Sequence, residues 1–295
     1  MKKLLVTGAG GFLGWNICKI AQNSFSVTGI THRTKCTVGN IKTETCDLTN
    51  TAAITRLFDS LKPDIVIHTA AASDPNFCQQ HPDISEQINV SVPEKFAELC
   101  AQHGCSYIFT STDLVFDGTS APYNELSPEN PLSLYGQQKL RAEKAILLKN
   151  ATATICRMPL MFGDTPQGSE KFLQLMLKQL LSGKSVSLFT DEFRTPVSAA
   201  DAANGLLLFS HNFHGIINLG GHERLSRYDF GKMIAELAGI APELIKPCLQ
   251  SDVKMSAPRP KDVSLDSNKA FKIGYAPGNV FDELKKLECI NIRKN

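Results

Sequence analysis

The sequence predicts an α/β fold, a doubly wound parallel sheet joined to a smaller C-terminal α/β lobe. Three observations predict it. Short apolar runs alternate with helical patterns through the first half of the chain. The first apolar run ends in glycines three apart, Gly8, Gly11 and Gly14, and a helical pattern follows. Past residue 160 the alternation loses its regularity, which sets the last part of the chain aside as a second lobe.

Lys3–Thr7 reads as a buried strand. Gly8 permits a tight turn after it, Gly11 lets the backbone approach phosphates where a Cβ would collide, and Gly14 lets the next helix pack closely on the strand. The helix over Phe12–Gln22 begins with unpaired N–H groups that favour an anion. With Phe12 and Leu13 at its start, this strand–turn–helix is a Rossmann-type dinucleotide site. Further strands are expected at Ser26–Ile30, Ile65–Thr69, Ser106–Ser111, Ala153–Arg157 and Ser185–Phe189. They are short, rich in β-branched residues and mostly apolar without alternation, as in a parallel sheet covered on both faces. Helices are expected at Ala52–Ser60, Pro82–His103, Ser133–Lys149 and Gly168–Ser182. Beyond them, Arg194–Ser210 reads as loop then helix, Ile216–Leu219 as a short strand and Ser226–Leu237 as an amphipathic helix, and Ala257–Pro260 breaks into loop. The expected division is a dinucleotide-binding domain over residues 1–160, with a return segment at about 192–215, and a substrate lobe over 161–191 and 216–295. Ligands of such sheets sit beyond the carboxyl ends of the strands, where a lobe covers them.

The 295 residues carry a formal net charge of +2, too little to suggest a nucleic-acid partner, and no Lys/Arg block stands out. No run approaches the roughly 20 apolar residues of a membrane span. Lys2-Lys3 before Leu4-Leu5-Val6 is too short for a secretory signal, because Thr-Gly-Ala-Gly-Gly interrupts it at once. Nine scattered cysteines without a C-x-x-C fit a reducing, cytoplasmic setting without disulfides or structural zinc. His211-x-x-His214 is half of a metal-ligand pattern with no companion ligand, so no metal is expected.

A carboxylate usually closes the second strand of an NAD site and holds the ribose hydroxyls. Here Thr31-His32-Arg33 stands there instead, and Arg33 with His32 suits a 2′-phosphate. NADP(H) is therefore expected over NAD(H). Asp47-Leu48 is placed to reach the adenine, and Ala70-Ala71-Ala72 leaves room for the cofactor at the end of its strand.

The chemistry is expected where Phe109–Phe116 ends a strand in hydroxyls and Tyr135-Gly136-Gln137-Gln138-Lys139 opens a helix. Tyr135 and Lys139, at i and i+4, share a helix face. A lysine ammonium there would lower the phenol pKa and make Tyr135 a proton donor to a carbonyl, while Thr112 orients that carbonyl. Tyr228-Asp229-Phe230-Gly231-Lys232 matches the same spacing but follows no strand end of this kind, so it is expected to be a surface pair.

Thr7–Gly14, the Ser111-Thr112 strand end and Tyr135-x-x-x-Lys139 together resemble the extended short-chain dehydrogenase/reductases. Within them, Ser111–Gly118 with Tyr123-x-Glu125, Arg194-Thr195-Pro196-Val197, Asn218-Leu219-Gly220-Gly221, Leu225–Tyr228, and Arg259-Pro260 before Ser264-Leu265-Asp266 are similar to the dTDP-4-dehydrorhamnose reductases. The resemblance implies Thr112, Tyr135 and Lys139 as a catalytic trio. It implies a nucleotide-sugar substrate whose 4-keto group meets Tyr135, with Asn89, Asp113 and Arg194 on the substrate side. It implies reduction of dTDP-4-dehydrorhamnose to dTDP-rhamnose, a step toward polysaccharides. Some relatives have Trp-Glu after the glycine motif, and that Glu supports a magnesium-linked dimer. Here the pair is Trp15-Asn16, so a homodimer stays an expectation and the metal does not. A dehydratase would need Glu where Leu114 stands. A 4-epimerase would ordinarily have the ribose-binding acid, but another nucleotide-sugar epimerase or reductase of the family stays open as an alternative. A non-catalytic NADP-binding regulatory subunit, like that of methionine adenosyltransferase, shares the fold and stays open as an alternative.

Overall fold

The computed structural model describes residues 1–32, 34–39, 41–210 and 213–291. In chain order the first part runs β1 (Lys3–Thr7), α1 (Phe12–Ala21), β2 (Ser26–Thr31), β3 (Lys42–Thr45), α2 (Thr51–Leu61), β4 (Ile65–His68), α3 (Pro75–Gln80) and α4 (Pro82–Glu86). A single π turn, Gln87–Ser91, leads into α5 (Val92–His103), followed by β5 (Ser106–Thr112), α6 (Leu134–Lys149) and β6 (Thr154–Met158). The second part holds β7 (Met161–Phe162), α7 (Phe172–Leu181), β8 (Val186–Phe189), β9 (Phe193–Arg194), β10 (Val197–Ser198), α8 (Ala199–Leu208) and β11 (Gly215–Asn218). It ends with β12 (Leu225–Ser226), α9 (Arg227–Leu237), β13 (Ile245–Cys248), α10 (Asn268–Lys272) and α11 (Val280–Lys285).

Seven parallel strands form the central sheet in the order β11-β6-β5-β4-β1-β2-β3. The chain leaves β1 toward β2 and β3, then returns to β4 on the other side. The crevice between the carboxyl ends of β1 and β4 is therefore the switch point where such sheets bind ligands. Both faces of the sheet are covered. Ile17, Ala202, Leu206 and Tyr275 pack on one face, and Phe58, Phe96, Ala142 and Ile146 on the other. β4 and β6 are buried throughout, and β6 buries Thr154 and Arg157 along with its apolar residues.

Two strands change places relative to the sequence reading. Val186–Phe189 is not in the central sheet but pairs with β13, and it is only half buried. The strand expected to open the lobe at Ile216 instead pairs in parallel with β6 as the seventh strand, so the return segment reaches Asn218. The lobe has its own core, where Leu173, Leu177, Phe230, Ile234 and Leu284 meet. The shared motif residues stitch the two parts together. Asn218 donates its side-chain amide to the Tyr123 carbonyl (2.9 Å) and the Asp266 carbonyl (3.1 Å), and its backbone N–H to Glu125 (3.0 Å).

Candidate active site

A cleft of about 860 Å³ opens at the switch point, within the size range of cofactor pockets. Gly8 takes φ +68°, and a Cβ on it would stand 2.9 Å from the Ala70 backbone N–H nitrogen. A Cβ on Gly14 would stand 2.2 Å from the Gly8 carbonyl oxygen. Both glycines are thus required by the close approach of β1, α1 and the loop after β4. α1 starts at Gly11 with no side-chain cap and no acid in its first turn, so its leading N–H groups face the cleft unclaimed by side chains. That fits a dinucleotide pyrophosphate.

The cleft brings together most of the residues expected to hold a cofactor: Gly8, Gly11, Phe12, Leu13, Gly14, His32, Asp47, Leu48, Ala70, Ala71, Tyr135 and Lys139. Arg33 lies outside the described residues. Ala72 does not line the cleft; its N–H and carbonyl are both bound by Asn89, at 2.9 and 3.1 Å. Asn89 sits in the π turn, fully buried, and also donates to Gln138 at 2.9 Å. Gln138 in turn donates to Ser85 at 2.7 Å. Asn89 therefore braces the loop after β4 against α6, between Tyr135 and Lys139, and the structure gives its side chain to the protein itself.

Ser133 caps α6 by accepting from the Gly136 N–H (3.2 Å). A Cβ on Gly136 would stand 2.2 Å from the Leu114 carbonyl oxygen, so this glycine lets the helix rest on the 3-10 turn Asp113–Val115. Thr112 caps that turn, accepting from the Leu114 N–H and donating to Asp113, both at 3.2 Å. Tyr135 and Lys139 are 8% and 2% exposed. Burial pushes the Tyr135 phenol well above its ordinary value, the Asp113 carboxylate and Cys78 add to that, and a hydrogen bond with Thr112 works the other way. Burial draws Lys139 down to about 7, against Glu143 and Cys78. This corrects the expectation that Lys139 lowers the phenol. Lys139 is not among the groups that act on the phenol, whereas burial and the Asp113 carboxylate both raise it.

Asp113 and Arg194, expected on the substrate side, stand outside the cleft lining and pair with each other. Arg194 Nε is 3.4 Å from Asp113 Oδ2, and its other end meets Glu192 at 3.4 Å. Burial pushes Asp113 up to about 6, with Arg194 opposing. Burial also works against Glu192, yet Arg227 (2.9 Å) and Arg194 hold it below the usual carboxylate range. The Nε of Arg259 is buried there without a partner. A guanidinium already shared between two carboxylates is not free in the way an isolated loop arginine would be.

All nine cysteines are free thiols, and no group of potential metal ligands occurs among the described residues. His211 is outside the described residues, and His214 donates Nδ1–H to the Thr152 carbonyl. No helix among the described residues is long and apolar enough to cross a membrane.

A family described as the RmlD substrate binding domain matches residues 1–286. The chain belongs to that family. It is 31% identical over 288 residues to methionine adenosyltransferase 2 subunit beta of Xenopus laevis, covering 95% of this chain and 85% of the relative. It is also 31% identical over 290 residues to a probable low-salt glycan biosynthesis reductase, Agl14, of Haloferax volcanii, covering 96% of each. The fold matches a dTDP-4-dehydrorhamnose reductase of Clostridium acetobutylicum with a TM-score of 0.85 at 27% identity, over 99% of this chain and 100% of that one. The extended short-chain dehydrogenase/reductase resemblance read from the motifs is thereby shown.

In this RmlD-family chain the cleft also uses residues the sequence reading passed over. Met158 ends β6, Met161, Phe162 and Gly163 follow it, and together they close one wall. Their place after a strand's carboxyl end is a signal that could have found them. Lys171, Phe172 and Gln174 come from the start of α7 and Phe77, Ile84 and Ile88 from the α3–α5 region. No local pattern marks either group, because each reaches the cleft only through tertiary packing.

Proposed function

We propose that this chain reduces the 4-keto group of a nucleotide sugar with NADPH, with dTDP-4-dehydrorhamnose as the substrate and dTDP-rhamnose as the product. The observation that carries the reading is one cleft. At one end it has a glycine turn and an uncapped helix start; at the other it has Tyr135 and Lys139, with Thr112 just outside the lining at the end of β5. The glycine turn and α1 would hold the pyrophosphate, His32 and Arg33 the 2′-phosphate, and Lys139 the nicotinamide ribose. NADPH, when bound, supplies the hydride. Tyr135 gives its proton to the developing alkoxide, and its raised pKa keeps it protonated over the working pH range. Thr112 is fixed by the Leu114 N–H and donates its hydroxyl to Asp113; it would turn that hydroxyl from Asp113 to the substrate oxygen.

The relatives support a second reading, an NADP-binding regulatory subunit, because methionine adenosyltransferase 2 subunit beta is as similar to the chain as the glycan reductase is. One experiment separates the two. Purified protein is mixed with NADPH, or with NADH in parallel, and dTDP-4-dehydro-L-rhamnose, and cofactor fluorescence is followed. Rapid loss with NADPH, and less with NADH, is expected. Tight NADPH binding without oxidation of any 4-keto sugar, together with stoichiometric capture of a partner enzyme, would replace the reductase by the regulatory subunit.

A further inference from the structure

Tyr135, Lys139 and Glu143 stand at i, i+4 and i+8 on the buried face of α6, and Glu143 has no part in the chemistry above. It is 2% exposed. Its carboxylate accepts from Arg157 Nε at 3.1 and 3.2 Å and from the other arm of the guanidinium at 2.7 Å. It also accepts the Ser111 hydroxyl. The same arm of Arg157 reaches Glu129 at 2.9 Å. Arg157 itself is fully buried, lies over the Phe116 ring, and keeps a third nitrogen without a partner.

A clamp of α6 onto β6 needs one carboxylate and one guanidinium. Here two carboxylates, the buried Glu143 and the part-exposed Glu129, share one guanidinium, which leaves one negative charge in excess beside α6. That excess favours a positive charge nearby. Lys139 is the cationic group on the same buried face of α6. It is one turn from Glu143 and forms no ion pair of its own among the described residues. Its other neighbours bring no negative charge at neutral pH. The Phe109 ring lies 4.0 Å from Nζ. Burial, with Lys139 nearby, holds His68 on β4 neutral, near 3. Burial keeps Cys78 on α3 a thiol and Tyr135 a phenol. Glu143 is the foremost group opposing the loss of the lysine proton.

We propose that Glu129, Arg157 and Glu143 form a positioning triad whose excess carboxylate favours the ammonium form of Lys139. Ser111, one residue before Thr112, ties the triad to the strand end that bears the reactive hydroxyl. The inference rests on the reading of Lys139 as a working member of the site, but its test does not require turnover.

The test follows the Lys139 side chain by carbon NMR of full-length protein labelled at the lysine Cε, with Lys139→Arg identifying the signal. Removing the Glu143 charge by Glu143→Gln should move the titration midpoint down by about one pH unit or more. Glu129→Gln should move it the same way by less, because Glu129 is 28% exposed at its side chain. An unchanged midpoint in folded Glu143→Gln overturns the triad. Should that variant not fold, Glu129→Gln decides alone, since it leaves the Arg157–Glu143 pair intact, and an unchanged midpoint there overturns it equally. A shifted midpoint in a protein that turns over no 4-keto sugar would keep the triad and remove only the reductase reading. Where turnover exists, the alkaline fall of kcat should move to lower pH in step with the midpoint, which a purely structural clamp would not cause.

Discussion

Two helices of this chain open with the same spacing. Ser133-Leu134-Tyr135-x-x-x-Lys139 starts α6, and Ser226-Arg227-Tyr228-x-x-x-Lys232 starts α9. In both, the serine caps the helix, accepting from the N–H three residues on, Gly136 at 3.2 Å and Asp229 at 2.9 Å. Their surroundings differ. Tyr135 and Lys139 are buried, whereas Tyr228 is half-buried and Lys232 exposed, its ammonium resting over the Tyr228 ring at 5.5 Å. The residue after the tyrosine accounts for much of this. Gly136 lets α6 settle on the turn after β5, while α9 has the exposed Asp229 there and turns Phe230, Gly231 and Ile234 into the lobe core. A local motif sets the helix start; the strand end it packs against makes it a site.

The largest expected effect tests that contrast directly. Tyr135→Phe should lower kcat by about 10²–10⁴-fold, the usual worth of a positioned proton donor, with NADPH binding nearly intact. Tyr228→Phe should leave turnover within about twofold, since it removes no proton donor from the cleft. Comparable losses in both variants would break the comparison.

Next comes the seat of α6. Gly136→Ala places a Cβ 2.2 Å from the Leu114 carbonyl oxygen and 3.0 Å from Pro131, so the helix must shift. Overpacking of this kind costs about 1–3 kcal/mol, and a displaced Tyr135 should cost about tenfold or more in kcat. Asp229→Ala, at the matching position of α9, gives up the hydrogen bond from the Ser226 hydroxyl (2.6 Å) and so some stability, but should leave kcat unchanged. Denaturant midpoints and initial rates measured together would show it.

The burial of Lys139 also predicts a pH signature. Its pKa falls from 10.5 when unfolded to about 7 when folded. The unfolded chain therefore binds the proton more tightly, and this residue's contribution to stability rises with pH between those values. Lys139→Met should accordingly gain stability over wild type, most below pH 7 and least above pH 10.5. A gain independent of pH would mean that the lysine is not desolvated as the structure has it.

What the sequence shows of all this follows the range of the interaction. The glycine turn is legible because its constraint lies within a few residues, as Gly8 and Gly14 demonstrate. So are the strands β1, β2, β4, β5 and β6, whose apolar runs need only their own composition. The π turn at Gln87–Ser91 is invisible to a 3.6-residue period, so Pro82–His103 reads as one helix and the bracing role of Asn89 is hidden. The placement of Val186–Phe189 and Gly215–Asn218 fails for a related reason: a short strand does not state its partner. Arg194 looks free in sequence because Asp113, which shares it with Glu192, is far along the chain. Glu143 and Arg157 are equally mute until β6 lies beside α6.

The smallest effect is the sharpest comparison, because it changes the same atom in both helices. Ser133→Ala and Ser226→Ala each remove one cap hydroxyl, and each should cost about 1 kcal/mol, read as similar shifts in the urea midpoint. Their consequences for turnover should part. Loss of the Ser133 cap frees the Gly136 N–H and loosens the first turn of α6, which bears Tyr135, so kcat should fall measurably. Loss of the Ser226 cap loosens a turn that only packs the lobe, so kcat should stay. Equal stability losses with unequal rates would show that the two helix starts are the same structure put to different uses. Equal rates would show that Tyr135 is held from the turn after β5 and not from its own helix start.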